Sequence, residues 1–176
     1  DEKSNPAIID ASLGDALAEA VHATEIGANA LLVAPPFYFK QPDEAGLFKW
    51  FSEFLTALPV GAPKVVLYHI PQVSIELVSR LKQAFPAQVY GVKDSSGVWE
   101  NGRDLLKIPG LAVMLGDERL LDKAVALGAK GMISGVANFR VHRLNRIFET
   151  GQSDPDLVAL VDAIVSHPVI PAVKSA

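Results

Sequence analysis

The chain has 176 residues, 49% of them hydrophobic, enough for one sizeable core, and 16 basic against 20 acidic residues leave a formal net charge of −4. No basic run stands out, which argues against a nucleic-acid partner, and the absence of cysteine excludes disulfides and thiolate metal sites while fitting a reducing cytoplasm. The opening Asp1-Glu-Lys-Ser-Asn-Pro6 has no signal-peptide shape and no apolar run is long enough for a bilayer, so the expectation is a cytoplasmic enzyme or binding domain, a single domain over 1–176.

In chain order, Pro6 to Ile9 reads as the tail of a strand. Ser12 is an N-cap before a helix from Leu13 to Ile26, which Gly27 stops. Ala28 to Ala34 is a continuous apolar run, the mark of a strand buried on both faces. Pro35-Pro36 ends it, and an aromatic loop follows from Phe37 to Pro42. Asp43 caps a helix over Glu44 to Leu58, with Leu47, Phe48, Phe51, Phe54 and Leu55 on its buried face.

A second buried strand spans Lys64 to Ile70, and Ser74 starts the helix that ends near Phe85-Pro86. The third clear strand is Gln88 to Lys93, followed by the turn cluster Asp94-Ser95-Ser96-Gly97. Trp99 to Lys107 has helical spacing with an unfavourable Gly102 inside it. Leu111 to Leu115 is a strand, Arg119 to Leu127 a helix, and Lys130 to Ser134 a strand. After a loop at Gly135 to Asn138, helices are expected over Val141 to Thr150 and Pro155 to Val165.

Strands alternating with helices through short connections make parallel βαβ units. An eight-stranded α/β barrel and an open doubly wound sheet are both compatible with that pattern. Taken alone, the length favours the open sheet, since a barrel of eight usually needs about 250 residues.

In either fold, chemistry gathers at the C-terminal ends of the strands. Those ends carry Tyr38 after the first clear strand, Tyr68 and His69 at the second, and Lys93 at the third. A lysine closing an apolar strand can snorkel into solvent. It can also, when desolvated, offer a neutral amine that attacks a carbonyl and forms a Schiff base. A tyrosine hydroxyl beside such an amine can pass protons to and from a carbinolamine. Alternatively, Tyr68 is a core aromatic whose hydroxyl is satisfied by a carbonyl.

Five segments occur in a recognisable order: Pro35 to Tyr38 (Pro-Pro-Phe-Tyr), Val66 to Pro71 (Val-Leu-Tyr-His-Ile-Pro), Gly91 to Gly97 (Gly-Val-Lys-Asp-Ser-Ser-Gly), Leu115 to Glu118 (Leu-Gly-Asp-Glu) and Gly131 to Asn138 (Gly-Met-Ile-Ser-Gly-Val-Ala-Asn). Together they resemble the dihydrodipicolinate synthase / N-acetylneuraminate lyase family of class I, pyruvate-type aldolases, from about Ala7 onward. The resemblance implies a (β/α)8 TIM barrel. It also implies that Lys93 forms the Schiff base with a 2-oxo acid and that Tyr68 shuttles the proton. Tyr38 matches the loop tyrosine that joins a proton relay in a neighbouring subunit, which implies a homo-oligomer, a dimer or a tetramer. Ile133 lies where the family holds pyruvate with a main-chain group, beside Ser134 and Gly135.

The family's Gly-Thr-Thr-Gly-Glu segment and first barrel strands have no counterpart here, so the chain is expected to cover about strands 3–8, an internal portion inactive by itself. The synthases carry an arginine two residues after the Tyr-x-x-Pro proline, where it binds the acceptor's carboxylate. Here Pro71 is followed by Gln72, Val73 and Ser74. Loss of that forked cation argues against aspartate semialdehyde and for a polar, uncharged, sugar-derived aldehyde. Asp117, Glu118 and Ser134 are candidates to hydrogen-bond its hydroxyls. The alternative for Asp117-Glu118 is a pair of acids complementing a helix N-terminus, and Gly116 and Gly135 read more simply as turn residues.

The four histidines, His22, His69, His142 and His167, lack metal-ligand spacing, and His69 falls on the opposite strand face from Tyr68, where packing is its expected role. No phosphate-loop or dinucleotide pattern is present, and imine chemistry through lysine calls for no cofactor. The expected function is thus a class I lyase that condenses or cleaves pyruvate with an aldehyde. A 2-keto sugar acid dehydratase using the same imine and a non-catalytic 2-oxo acid-binding protein are the alternatives.

Overall fold

The computed structural model describes residues 6–38 and 42–175. Its elements alternate throughout: β1 (Ala7–Ile8), α1 (Leu13–Glu25), β2 (Ala30–Val33), α2 (Glu44–Ala57), β3 (Lys64–His69), α3 (Ile75–Ala84) and β4 (Val89–Asp94). They continue with α4 (Trp99–Leu105), β5 (Ala112–Leu115), α5 (Leu121–Ala126), β6 (Gly131–Met132), α6 (Ala137–Thr150), α7 (Pro155–Val165) and α8 (Val169–Ser175). The chain forms two compact units, one running up to Lys93 together with Ile108–Ala112, the other made of Asp94–Lys107 and the residues from Val113 onward.

In the first unit β1, β2, β3 and β4 follow one another in sheet order. β1 and β2 are parallel with Ile8 opposite Val33, and β2 and β3 are parallel with Val33 opposite Leu67. Their apolar runs explain this arrangement: Leu31, Val33, Val65, Leu67, Val89 and Val92 are all buried, as strands covered on both faces require. Side-chain caps start the helices where the sequence places them. Ser12 accepts the N–H of Asp15, Asp43 that of Gly46 and Ser74 that of Leu77. Phe51, Phe54, Leu55, Leu77 and Leu81 from α2 and α3 are fully buried. Phe48, expected among them, is only half-buried, and the Arg80 guanidinium lies 4.5 Å above its ring. A cation on an aromatic face accounts for a phenylalanine at the edge of the core.

In the second unit β5 and β6 are parallel neighbours, with Met114 opposite Gly131. Here the core is helical, built from Leu121, Val136, Leu144, Ile147, Leu157, Val161 and Ile164. Three details differ from the expected elements. β6 has two residues rather than five, although Ile133 N–H still donates to Leu115 O (2.9 Å) and extends the ladder by one bond. The expected loop at Gly135 to Asn138 is partly helix, because α6 starts at Ala137 and bends at Arg140 (φ −132°, ψ 26°). A further helix, α8, follows α7.

The glycine that cast doubt on α4 is accommodated by packing. Gly102 is buried, and a Cβ there would sit 3.1 Å from Asp94 Oδ2 and 3.6 Å from Leu115 Cδ1. The helix passes too close to the Asp94–Gly97 turn for a side chain, and this contact offsets glycine's poor helix propensity. No helix among the described residues is long and apolar enough to cross a membrane.

Candidate active site

β3 and β4 are adjacent in the first unit and end on Tyr68-His69 and Lys93-Asp94. On β3 the buried run Val65-Val66-Leu67 gives way to a half-buried Tyr68 and then a buried His69. On β4 the buried Gly91-Val92 gives way to a half-buried Lys93. The two half-buried polar side chains meet. Lys93 Nζ donates to Tyr68 Oη at 3.1 Å and lies 4.3 Å from the centroid of the same ring. The ammonium thus rests over a π-face while reaching its hydroxyl, at a strand end that is neither dry nor open. His69, 5% exposed, occupies the packed position expected of it.

The turn after Lys93 belongs to the second unit and is held tightly. Asp94 is buried; its Oδ1 accepts the N–H of Ser96 (2.9 Å) and its carbonyl accepts that of Gly116 (2.7 Å). An aspartate side chain bonding two residues onward closes an Asx turn. Gly116 is required by close approach, since a Cβ would lie 2.5 Å from Ser95 Oγ and 3.0 Å from Asp94 O. Its expected role as a turn residue therefore stands on packing.

The candidate acceptor residues also lie in the second unit. Asp117 caps a 3₁₀ turn over Glu118–Leu120, accepting Arg119 N–H at 3.0 Å. Its carboxylate also takes the Arg119 fork, Nε to Oδ1 at 2.9 Å and Nη2 to Oδ2 at 2.6 Å. A third guanidinium nitrogen of Arg119 reaches Asp162 Oδ1 on α7 at 2.9 Å. The hydrogen bonds from Asp117 and then Asp162 push the guanidinium pKa further above its already high range. The helix-terminus alternative for Asp117 thus describes its observed bonds. Glu118 differs. It is 8% exposed, lines a cavity with Ser95, Ser96, Asp117 and Arg119, and its carboxylate has no hydrogen-bond or ion-pair partner among the described residues.

Ser134 Oγ accepts the N–H of Ala137 (3.3 Å), and Gly135 is an exposed turn residue whose carbonyl accepts from Asn138 Nδ2 (2.9 Å). Ile133 has committed its N–H to Leu115, so a main-chain contact from it to a ligand falls to its carbonyl. Tyr38 stands on the loop after β2, 72% exposed; Phe39, Lys40 and Gln41 of that expected loop lie outside the described residues. Sequence reasoning missed Arg119. The available signal was a basic residue two positions after Asp117, on the same turn. No cluster of three or more histidine or acidic side chains among the described residues could hold a metal ion.

Comparison with known proteins gives these strand ends a context. The model of the dihydrodipicolinate synthetase family matches residues 9–171. The chain belongs to this family. A relative from Chloroflexus aurantiacus, an uncharacterized DapA-like lyase, is 38% identical over 155 residues, covering 85% of this chain and 52% of that protein. A 2-dehydro-3-deoxy-D-gluconate/2-dehydro-3-deoxy-phosphogluconate aldolase from Picrophilus torridus is 29% identical over 156 residues, covering 85% and 55%. Among solved structures, a dihydrodipicolinate synthase from Agrobacterium tumefaciens is 44% identical with a TM-score of 0.90, covering 96% of this chain and 61% of that one. The chain therefore spans about half the length of the relatives it matches. The likeness places the fold in the family's (β/α)8 TIM-barrel class. The six strands found among the described residues are the number expected of a stretch from the third strand to the eighth.

Proposed function

We propose that Lys93 is the Schiff-base lysine of a carbon–carbon lyase acting on pyruvate and an aldehyde. The observation that carries this reading is the 3.1 Å contact between Lys93 Nζ and Tyr68 Oη at neighbouring strand ends. The amine attacks the 2-oxo carbon, and the carbinolamine loses water as Tyr68 hands a proton to the departing hydroxyl. The protonated imine draws electrons from the adjacent carbon. In the condensing direction, loss of a methyl proton gives an enamine that attacks the aldehyde carbon, and hydrolysis then frees Lys93. Cleavage runs the same steps backwards. Every step uses the lysine and proton transfer, so no cofactor is required.

Tyr38 completes this reading as a relay group if a second copy of the chain presents it, which makes a homo-oligomer part of the proposal. Its 72% exposure suits a residue that works across an interface. Ile133 contributes its carbonyl, and Ser134 and Gly135 sit beside it on the same strand-end loop. For the acceptor, the Gln72-Val73-Ser74 run after Pro71 supplies no forked cation, which favours a neutral, sugar-derived aldehyde over aspartate semialdehyde. The Picrophilus relative, named for aldol chemistry on a 2-dehydro-3-deoxy sugar acid and its phosphorylated form, supports a sugar-derived aldehyde without deciding its charge.

The test is release of pyruvate from 2-dehydro-3-deoxygluconate by the whole protein, measured by coupled reduction to lactate. Wild type is expected to release pyruvate, and Lys93→Ala to lose it by a factor of about 10³ or more, as removal of a covalent nucleophile does. Conversion of the same acid to a dehydrated 2-oxo product, with no pyruvate, would point instead to the dehydratase. Unimpaired pyruvate release by Lys93→Ala would end the imine reading altogether.

A further inference from the structure

In the first unit Tyr38 stands on the loop from β2 to α2, and Tyr68 lies near the end of β3, ahead of the loop to α3. One carboxylate joins the far ends of these two loops. Glu44, the first residue of α2, accepts the Ser74 hydroxyl at Oε2 (2.6 Å) and Arg80 Nη1 at Oε1 (3.1 Å). Ser74 is also the N-cap of α3, taking the Leu77 N–H at 3.0 Å, so its single hydroxyl proton is directed at Glu44. Arg80 grips α2 a second time, because its guanidinium lies over the ring of Phe48, one turn beyond Glu44.

The Ser74 end of this tie is itself firm. Val73 is buried and its N–H donates to Ile70 O at 2.8 Å, closing the turn between β3 and α3. The loop that carries Tyr38 begins as firmly, with Ala34 buried, its N–H on Ile8 O at 3.0 Å, and Pro35 and Pro36 next. At the other end of that loop Asp43 caps its own helix, whereas Glu44 reaches across to Ser74 and Arg80. Tyr38 is 72% exposed, so the ends of its loop do more than packing to place it. The Arg80 and Glu44 side chains are 42% and 40% exposed, and an ion pair so open adds little to stability. Its contribution is geometric.

We propose that Glu44 is a positioning residue: by holding Ser74 and Arg80 it sets the Tyr38 loop relative to the strand end that bears Tyr68. The proposal rests on the lyase reading above, in which Tyr38 joins the proton transfers when a second copy presents it. A hydroxyl that relays a proton must lie within hydrogen-bond reach of its partners, and a displacement of about 1 Å can cost up to about 10²-fold in rate. Glu44 touches no reacting atom. Its effect passes wholly through Tyr38.

The experiment follows imine formation by the whole protein, mixed with pyruvate over a range of concentrations, quenched with borohydride and measured by intact mass. The final adduct level gives the competent fraction of each preparation, so the rate is read free of any folding loss. Glu44→Ala is expected to slow the saturating rate by about tenfold while half-saturating pyruvate stays within about twofold. Glu44→Gln, whose amide oxygen still accepts the Ser74 hydroxyl, should recover most of that loss. In a Tyr38→Phe background Glu44→Ala should matter by less than about twofold, because the group it positions is gone. Equal slowing in both backgrounds, or a Glu44→Ala rate within about twofold of wild type, would overturn the proposal. So would a Tyr38→Phe protein as fast as wild type, which leaves nothing to position. A wild-type adduct with an unmoved Glu44→Ala rate removes Glu44 alone, whereas no wild-type adduct removes the lyase reading and this proposal with it.

Discussion

Replacing Tyr68 by phenylalanine separates two contacts that one residue makes with Lys93. The variant deletes the hydroxyl 3.1 Å from Nζ and keeps the ring whose centroid lies 4.3 Å away. If the hydroxyl moves the protons, its loss should slow imine formation by about 10²–10⁴, or roughly 2.7–5.4 kcal/mol of barrier. The ring contributes less. A cation over an aromatic face at a half-buried site is worth about 0.5–2 kcal/mol, so Tyr68→Ala should cost only a further factor of about 2 to 30. The assay is rapid quenching with borohydride at saturating pyruvate, followed by intact-mass measurement of the adduct against time. Both variants should keep the wild-type far-UV spectrum, since Tyr68 is not among the fully buried side chains. Imine formation by Tyr68→Phe within about threefold of wild type would refute the proton-transfer role. A large further drop in Tyr68→Ala would mean that the ring, and not the hydroxyl, is what Lys93 needs.

Three further outcomes follow from the local geometry. Gly116→Ala places a methyl 2.5 Å from Ser95 Oγ and 3.0 Å from the Asp94 carbonyl, and the backbone side cannot yield easily. It should lower the urea midpoint by the equivalent of about 1–3 kcal/mol, and an unshifted midpoint would show that the turn relaxes freely. Asp154 caps α7 through the Leu157 N–H (3.1 Å) and faces Arg143 Nε at 3.4 Å, so Asp154→Ala should cost about 1 kcal/mol by the same measurement. No loss there would mean that packing alone holds the start of α7. At the surface, hydrogen bonds from Lys107 and then Arg103 hold the Asp104 carboxyl below its ordinary range. A lowered carboxylate pKa adds stability above the unfolded value of about 3.9, lost as pH falls through the folded one. NMR titration should find Asp104 below that value in wild type and moved upward in Lys107→Ala; equal titration in both would contradict the assigned cause.

Much of the first unit was legible in the sequence because its signals are local and agree with one another. Ser12, Asp43 and Ser74 are side-chain caps, and the apolar runs are long enough to be strands covered on both faces. The second unit was less legible. β6 pairs over only two residues, too few for a hydrophobic period to reveal. α8 escaped notice because it contains Pro171 and buries none of its residues completely, so neither propensity nor pattern marks it. Gly102 misled because helix propensity says nothing about a neighbour 3.1 Å away.

At the candidate site, the meeting of Lys93 and Tyr68 was readable from one topological rule, that adjacent parallel strands bring their C-terminal ends together. The state of the acids was not. Asp117 and Glu118 are consecutive and chemically alike, yet one is bound on both oxygens by Arg119 and the other has no partner among the described residues. That difference depends on Arg119 turning back over two residues and on Asp162 arriving from α7, 43 positions further along the chain. A sequence shows the first as a weak hint and the second not at all.

The central claim is a covalent bond, and it can be read directly. The whole protein is incubated with pyruvate, reduced with borohydride, digested and mapped by mass spectrometry. Pyruvate reduced onto the peptide that carries Lys93, with no adduct in Lys93→Ala, is the predicted result. Pyruvate that binds measurably yet leaves every lysine unmodified would contradict the lyase account and favour a protein that only senses 2-oxo acids.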